Sequence, residues 1–276
     1  MPECIACSDC LRGTVQAGTP KGTVSNVHGL PTYTARPESD PRGVIVLIPD
    51  IFGWELANPR LLADTYAREG RYLVYLPEFM NGQAASASTM HAMDGLFEPS
   101  SLWETILYKP YYIVRVLFGI YHFFLSKSLS EATIKPLVFN YHSAIRNAPE
   151  TAGLPLGSAG LCWGGKYTTL LCQEDDLVDA GFTAHPSNVK FPDDWAKVKK
   201  PLSVCIGDVD KAVGIEEVKQ IKALLEEKEA TELVILEGAK HGFAVRADPA
   251  DEGQMKSAEI AKKQALAWYS KWFAQG

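Results

Sequence analysis

The chain has 276 residues, of which 46% are hydrophobic, with 22 glycines and 17 prolines. This length and composition suit one large α/β domain with a substantial core. The formal net charge of −6 and the lack of lysine- or arginine-rich runs argue against a nucleic-acid partner, so we expect a small-molecule ligand.

The amino-terminal segment, residues 1–21, is predicted to be a tail ahead of a folded domain of residues 22–276. Its Cys4, Cys7 and Cys10 have the spacing C-x-x-C-x-x-C, which could be half of a metal site. No second Cys or His cluster follows nearby, so a flexible, reduced tail without metal is the better interpretation. Because no hydrophobic leader opens the chain, we expect a reducing, cytoplasmic setting.

Short apolar runs alternate along the chain with segments of helical periodicity. The runs predicted to be buried strands are residues 43–48, 72–76, 156–161, 178–184, 201–207 and 233–236. The segments predicted to be helices are about 58–69, 164–172, 215–228 and 255–273. Such alternation predicts a mostly parallel sheet with helices on both faces.

The region of about residues 100–147 is predicted to be a helical insertion. Within it, residues 111–125 are strongly apolar and aromatic, with Arg115 and His122 as the main polar interruptions. No membrane span is expected, because a spanning helix needs about 20 apolar residues. A cap over the functional site is the leading interpretation, and a buried face of a homodimer is the second. Contact with a membrane surface is the third, because the stretch lacks a strongly basic polar face.

The most informative motif is GLCWGG at residues 160–165, which has the pattern of a nucleophile elbow with cysteine in place of serine. A predicted strand precedes it and a predicted helix follows, as an elbow requires. The glycines let the backbone pass close beneath the nucleophile, and the N–H of the next residue points at the oxyanion. Cys162 is therefore the candidate nucleophile. The alternative is a small buried core residue, which is how we interpret Cys172 and Cys205.

A cysteine nucleophile needs a base and a carboxylate that orients the base. Asp208 and Asp210 follow the predicted strand 201–207, and His241 follows the predicted strand 233–236. The order nucleophile, acid, histidine is that of α/β-hydrolases, and strand ends are where an open parallel sheet places its site. The pattern alone does not separate Asp208 from Asp210, since either could hydrogen-bond turn backbone.

The GLCWGG motif, the GDVD strand end and the HGF loop together resemble the dienelactone hydrolase family. Asp210 lies 48 residues after Cys162, and His241 lies 31 residues after Asp210, which is similar to the family's arrangement and favours Asp210 as the acid. The resemblance extends from about Gly22 onward. It implies a single-domain α/β-hydrolase fold with a Cys-His-Asp triad. It also implies an esterase that cleaves a small ester or enol lactone, like carboxymethylenebutenolidase, without metal or cofactor.

The resemblance also assigns roles outside the triad. It implies that the backbone N–H groups of Ile51 and Trp163 form an oxyanion hole. Asp50 stands where the family usually has a glutamate that holds the resting thiol. Aspartate is one methylene shorter, which puts its reach to Cys162 in doubt, and the alternative is a turn residue after a strand. Arg246 stands one residue from the position expected for an arginine that clamps a substrate carboxylate, and it could equally be a surface charge.

Two functions therefore stand side by side. The first is a hydrolase with a cysteine nucleophile. The second is a catalytically weak relative that binds a small molecule or a partner protein, using residues 111–125 as its surface. Asp50 and the lack of a second matching arginine motivate the second function. A thiol-reactive probe separates them, because only an activated Cys162 should react well ahead of the other buried cysteines.

Overall fold

The computed structural model of the chain describes residues 8–274, so Cys4 and Cys7 lie outside the described residues. Eight strands form one sheet. They are β1 (Thr23–Val27), β2 (Leu30–Ala35), β3 (Val44–Ile48), β4 (Leu73–Pro77), β5 (Leu156–Leu161), β6 (Ala180–Ala184), β7 (Leu202–Gly207) and β8 (Thr231–Leu236). Their order in the sheet is β1-β2-β4-β3-β5-β6-β7-β8.

Helices occupy the connections between the strands and the end of the described chain. They are α1 (Ala57–Gly70), α2 (Ala87–Phe97), α3 (Leu102–Leu107), α4 (Lys109–Leu125), α5 (Glu131–Asn147), α6 (Trp163–Leu171), α7 (Asp193–Ala196), α8 (Ile215–Glu226), α9 (Phe243–Arg246) and α10 (Glu252–Phe273). The strands and helices predicted from periodicity are all present, within a few residues of the expected bounds.

The sheet is parallel from β4 through β3 to β8, which confirms the predicted architecture. The exception is the β1–β2 hairpin, which adds to β4 in antiparallel orientation. Periodicity did not predict this hairpin, because β1 is mostly exposed and its sequence TVSNV lacks a long apolar run. It extends the sheet beyond the edge that the βαβ units form.

Helices cover both faces of the sheet and create two cores. Every residue of β3 is buried, and successive side chains alternate between the cores: Val44 and Val46 lie in one, and Ile45 and Leu47 in the other. Helices α5, α6 and α8 pack in the first core, whereas α1 and α10 pack in the second. Continuous apolar strands are the expected pattern for a parallel sheet buried on both faces.

The described part of the amino-terminal segment packs against the body of the protein. Ser8–Leu11 forms a short 3-10 helix, and Cys10 and Leu11 are buried in the first core. Arg12 forms an ion pair with Asp94 of α2, with 3.1 Å between Nε and Oδ1. The expectation of a flexible tail is therefore wrong for residues 8–12, because burial of apolar side chains and this ion pair hold them in place.

The predicted insertion of residues 100–147 contains α3, α4 and α5. The inner face of α4 packs towards the nucleophile motif, since Phe123 is buried and its ring centroid lies 6.3 Å from that of Trp163. The outer faces of α3 and α4 expose large apolar side chains: Leu102, Trp103, Ile106, Leu107, Tyr111, Val114, Leu117, Phe118 and Tyr121. Over residues 8–274, helices long and apolar enough to cross a bilayer are absent.

The glycines of the motif allow three close approaches around the β5–α6 turn. A Cβ on Gly164 would lie 2.2 Å from the carbonyl oxygen of Ile48, and one on Gly160 would lie 2.4 Å from the carbonyl oxygen of Gly164. A Cβ on Gly165 would lie 2.3 Å from Thr183 Oγ1. The first helical turn of α6 therefore sits directly on the end of β3. As a result, the turn between β5 and α6 lies beside the loop that follows β3.

Replacing Gly164 with alanine tests this close packing. We expect Gly164→Ala to lower the free energy of unfolding by about 1–3 kcal/mol, because the methyl group meets backbone that cannot move aside cheaply. Urea denaturation followed by circular dichroism measures the change. The matched control is Gly253→Ala in the first turn of α10, where a Cβ has only the Asp251 side chain nearby, at 3.2 Å. The control should be neutral or stabilising, since alanine is the better helix former.

Candidate active site

Cys162 occupies the sharp turn between β5 and α6. Its φ of 53° and ψ of −113° lie outside the regions that residues with side chains normally adopt. The Cys162 N–H donates to the Ala184 carbonyl at 3.2 Å, and the Cys162 carbonyl accepts the Gly165 N–H at 2.9 Å. A non-glycine residue held in this conformation between a strand and a helix is the geometry of a nucleophile elbow.

Asp210 and His241 lie next to Cys162. The Nδ1 of His241 is 2.9 Å from Oδ2 and 3.0 Å from Oδ1 of Asp210, and both side chains are buried. A ring nitrogen of His241 lies within 4.8 Å of Cys162 Sγ. Because Asp210 engages Nδ1, the nitrogen available to the thiol is Nε2. The three residues are thus arranged as nucleophile, base and orienting acid.

Asp208 has a different position from Asp210. Its Oδ1 accepts the N–H of Gly238 at 2.7 Å, which ties the end of β7 to the loop that carries His241. Asp210 Oδ1 also accepts the N–H of Ala212 at 2.8 Å, which fixes its own turn. The geometry therefore distinguishes the two aspartates that the sequence pattern alone left equivalent.

The electrostatics of the site favour a thiolate paired with an imidazolium. The hydrogen bond from the Cys10 thiol and the positive charge of His241 outweigh burial and hold the pKa of Cys162 well below its ordinary value. Burial would lower the pKa of His241, but the charges of Cys162 and Asp210 outweigh burial and raise it well above its ordinary value. By contrast, burial raises the pKa of Cys172 and of Cys205 to about 12.

Three residues near Cys162 were missed by the sequence analysis. The Sγ of Cys10 lies within 4.8 Å of Cys162 Sγ, and Ser187 Oγ lies 3.6 Å from it. The ring of His185 packs edge-on against that of His241 at 5.0 Å between centroids, and burial lowers its pKa to about 4. His185 and Ser187 follow β6, so the rule that sites lie at strand ends could have found them. No local signal connects Cys10 to the site.

Asp50 lies at the end of β3, and its carboxylate is paired with Arg246. Its Oδ2 is 2.9 Å from Arg246 Nε, and both side chains are almost wholly buried. Its Oδ1 accepts the N–H of Phe52 at 3.0 Å. Burial raises the pKa of Asp50, while the adjacent guanidinium opposes that rise. The carboxylate thus serves an ion pair and a turn, whereas the resemblance implied a hydrogen bond to the resting thiol.

Arg246 is buried inside the protein and is not a surface charge. Its Nη1 donates to the Cys10 carbonyl at 2.8 Å and also bonds the Arg12 carbonyl. Its guanidinium carbon lies 5.1 Å from the centroid of the Phe52 ring. Arg246 therefore connects Asp50, the helix α9 and the amino-terminal segment. The carbonyls of that segment engage Nη1 of the guanidinium that was expected to meet a substrate carboxylate.

The two backbone N–H groups expected to form an oxyanion hole lie on adjacent loops. Ile51 follows β3, Trp163 is the first residue of α6, and the register of β3 with β5 places Ile48 opposite Gly160. The N–H groups of the first helical turn have no acceptor within the helix. The N–H of Trp163 is thus able to donate to a group bound at Cys162. The partial positive charge at the N-terminus of α6 favours negative charge on that group.

Comparison with known proteins identifies the family and the fold. The family model described as the dienelactone hydrolase family matches residues 30–109 and 120–276. The chain belongs to the dienelactone hydrolase family. The unmatched residues 110–119 lie within α4, in the part of the insertion that exposes apolar side chains.

Individual relatives are distant but similar over nearly the full length. Hydrolase tropI of Talaromyces stipitatus is 27% identical over 272 residues, covering 97% of each chain. Dienlactone hydrolase 1 of Gibberella moniliformis is 24% identical, covering 96% of this chain and 94% of its own. A crystal structure of a candidate dienelactone hydrolase from Klebsiella pneumoniae has a TM-score of 0.63 at 22% identity, covering 90% and 93%. The chain thus has the α/β-hydrolase fold of a family of hydrolases.

The buried Asp50–Arg246 pair should be important for stability. We expect Arg246→Met to lower the free energy of unfolding at pH 7 by about 3–5 kcal/mol, because it leaves the Asp50 carboxylate buried without its cation. Chemical denaturation of the variant measures the change. The control is Arg68→Met, which removes an exposed pair with Glu69 and should change stability by less than about 1 kcal/mol. Equal effects of the two substitutions would contradict the importance of the buried pair.

The pKa directions predict which thiol reacts first. At pH 7 we expect iodoacetamide to modify Cys162 well ahead of Cys172 and Cys205, because the pKa of Cys162 is lowered whereas burial raises that of the other two to about 12. Since its pKa is lowered, the reaction of Cys162 should persist as the pH falls to 6. Peptide mass spectrometry over a time course measures each site. Slow modification of all three thiols at equal rates would contradict a lowered pKa at Cys162.

Proposed function

We propose that the protein hydrolyses a small carboxylic ester or enol lactone, with Cys162 as nucleophile. The observation that carries the proposal is the buried chain of contacts from Asp210 through His241 to a cysteine on a strained elbow. Membership of a hydrolase family supports it, as does the similarity to dienlactone hydrolase 1 of Gibberella moniliformis. The proposed substrate is an activated carbonyl compound of low molecular weight.

In the first half of the reaction, the Cys162 thiolate attacks the substrate carbonyl. The resulting oxyanion accepts hydrogen bonds from the N–H groups of Ile51 and Trp163, and one such donor typically contributes about 3–4 kcal/mol to lowering the barrier. Collapse of the tetrahedral adduct breaks the carbon–oxygen bond and leaves an acyl thioester. His241 gives its Nε2 proton to the departing alkoxide or enolate. An enolate is the better leaving group of the two, since it delocalises its charge.

In the second half, water hydrolyses the thioester. Neutral His241 accepts a proton from water through Nε2, and the hydroxide equivalent attacks the acyl carbon. Expulsion of the thiolate returns Cys162 and the imidazolium to their starting state. Asp210 remains ionised throughout and keeps Nδ1 protonated, so that Nε2 always faces the reacting atoms.

Entry of the substrate requires movement around the nucleophile. Cys162 is only 1% exposed, and Cys10 lies against it. Cys10 belongs to the short helix Ser8–Leu11, and Phe123 of α4 packs against Trp163, the residue next to Cys162. Because Arg246 is held by Asp50 and by backbone carbonyls, the proposal does not require a carboxylate on the substrate.

Replacing Cys162 tests the proposal directly. We expect Cys162→Ala to lower kcat by at least about 10,000-fold on an enol lactone and on a p-nitrophenyl ester, because the nucleophile is lost. The matched control is Cys172→Ala, which removes a buried thiol from α6's carboxyl-terminal end and should retain turnover. Circular dichroism should show both variants folded.

Either of two results would oppose the proposal. Full activity of Cys162→Ala would show that the nucleophile is elsewhere. Absence of turnover by the unmodified protein on a panel of esters and enol lactones would favour the alternative of a catalytically weak, ligand-binding relative.

A further inference from the structure

The amino-terminal segment brings a second thiol into the candidate active site. One sulfur or nitrogen donor from each of Cys10, Cys162 and His241 lies within 4.8 Å of the other two, and all three residues are buried. Together they form a donor set of two sulfurs and one imidazole nitrogen. In the proposed hydrolysis Cys162 and His241 take part in the chemical steps, whereas Cys10 acts only through its hydrogen bond to Cys162.

We propose that Cys10, Cys162 and His241 form a binding site for Zn²⁺, with water in the fourth position. Two thiolates and one imidazole are a donor set that zinc accepts in three-ligand sites with an open position. Tetrahedral zinc has bonds of about 2.3 Å to sulfur and about 2.0–2.1 Å to nitrogen, so its ligands stand roughly 3.5–3.8 Å apart. The donor atoms of the three residues lie at most 4.8 Å apart, so each pair needs to approach by no more than about 1 Å to reach that geometry.

The surroundings of His241 match those of a metal-binding histidine. Its Nδ1 is held by Asp210 at 2.9 Å, which leaves the buried Nε2 as the nitrogen that faces the Cys162 thiol. Metal-bound histidines usually donate their other ring N–H to a carboxylate, which fixes the ring orientation and strengthens the donor nitrogen. Asp210 thus supplies the second shell that a zinc ligand requires.

The position of Cys10 is held independently of its thiol. Arg246 donates to the Cys10 carbonyl at 2.8 Å, and Leu11 is buried in the core next to it. Both contacts fix the backbone of the segment over the site. Little ordering of the chain is therefore needed when the metal binds.

Zinc binding would have a regulatory consequence. With zinc bound, the two thiolates balance its charge, the Cys10 thiol proton and the Nε2 proton are released, and no oxidant is involved. The metal would hold both the nucleophile and the base, so hydrolysis would stop until the metal is removed. This consequence rests on the proposed function, whereas the binding of zinc does not.

Titration of the reduced, metal-free protein with Co²⁺ and Zn²⁺ tests the site. We expect one Co²⁺ per chain, with thiolate-to-cobalt charge-transfer absorption and the visible bands of tetrahedral cobalt, and displacement of Co²⁺ by Zn²⁺. Cys10→Ser and Cys162→Ser should each raise the zinc dissociation constant by about 100-fold or more, and Asp210→Asn by about 10–100-fold. Cys172→Ala, the matched control, should leave it unchanged.

The outcomes separate the site from the proposed function. Binding by Cys10→Ser with unchanged affinity and unchanged charge-transfer bands would overturn the inference, as would lack of stoichiometric binding by the unmodified protein. In an activity assay, Zn²⁺ should inhibit ester hydrolysis, a chelator should restore it, and Cys10→Ser should raise the inhibition constant by the same factor as the dissociation constant. If the protein binds zinc but hydrolyses no substrate, the proposed function fails and the zinc site stands.

Discussion

The buried ion pair between Asp50 and Arg246 connects the parts of the chain that make the site. Asp50 follows the first core strand, Arg246 ends the short helix after the loop of His241, and the same guanidinium holds the carbonyls of the amino-terminal segment. A buried pair is costly to desolvate. Here backbone hydrogen bonds reach one atom of each partner: Asp50 Oδ1 accepts from Phe52, and Arg246 Nη1 donates to the Cys10 carbonyl. Three segments distant in sequence are thus held around one thiol.

The second constraint is the close packing of the elbow. Because Gly164 has no Cβ, the first turn of α6 lies directly against the end of β3, and the loops that carry Ile51 and Trp163 become neighbours. The backbone strain at Cys162 is held by hydrogen bonds on both sides of the residue. An oxyanion stabilised by two backbone donors requires this adjacency, since the two N–H groups belong to different βα units.

The amino-terminal segment gives this member of the dienelactone hydrolase family a more crowded site than a triad alone would have. The thiol of Cys10 stabilises the Cys162 thiolate, and the carbonyls beside it occupy Arg246. The lowered pKa of Cys162 thus depends on Cys10 and His241, while Asp50 has an electrostatic role towards Arg246. Because of this crowding, groups around Cys162 must move before another molecule can reach its sulfur. The crowding also brings together one possible metal donor from each of Cys10, Cys162 and His241.

The sequence by itself determined the α/β architecture, the elbow at Cys162 and the strand-end positions of Asp210 and His241. These features depend on local periodicity, glycine spacing and the order of strands, all of which are readable along the chain. Only the tertiary structure decided the partner of Asp50, the burial of Arg246, the separate roles of Asp208 and Asp210, and the approach of Cys10 to Cys162. Each of these depends on contacts between residues far apart in the sequence of one domain. The energy of such contacts comes from burial and charge pairing, which depend on three-dimensional distance and leave no periodic trace in the chain.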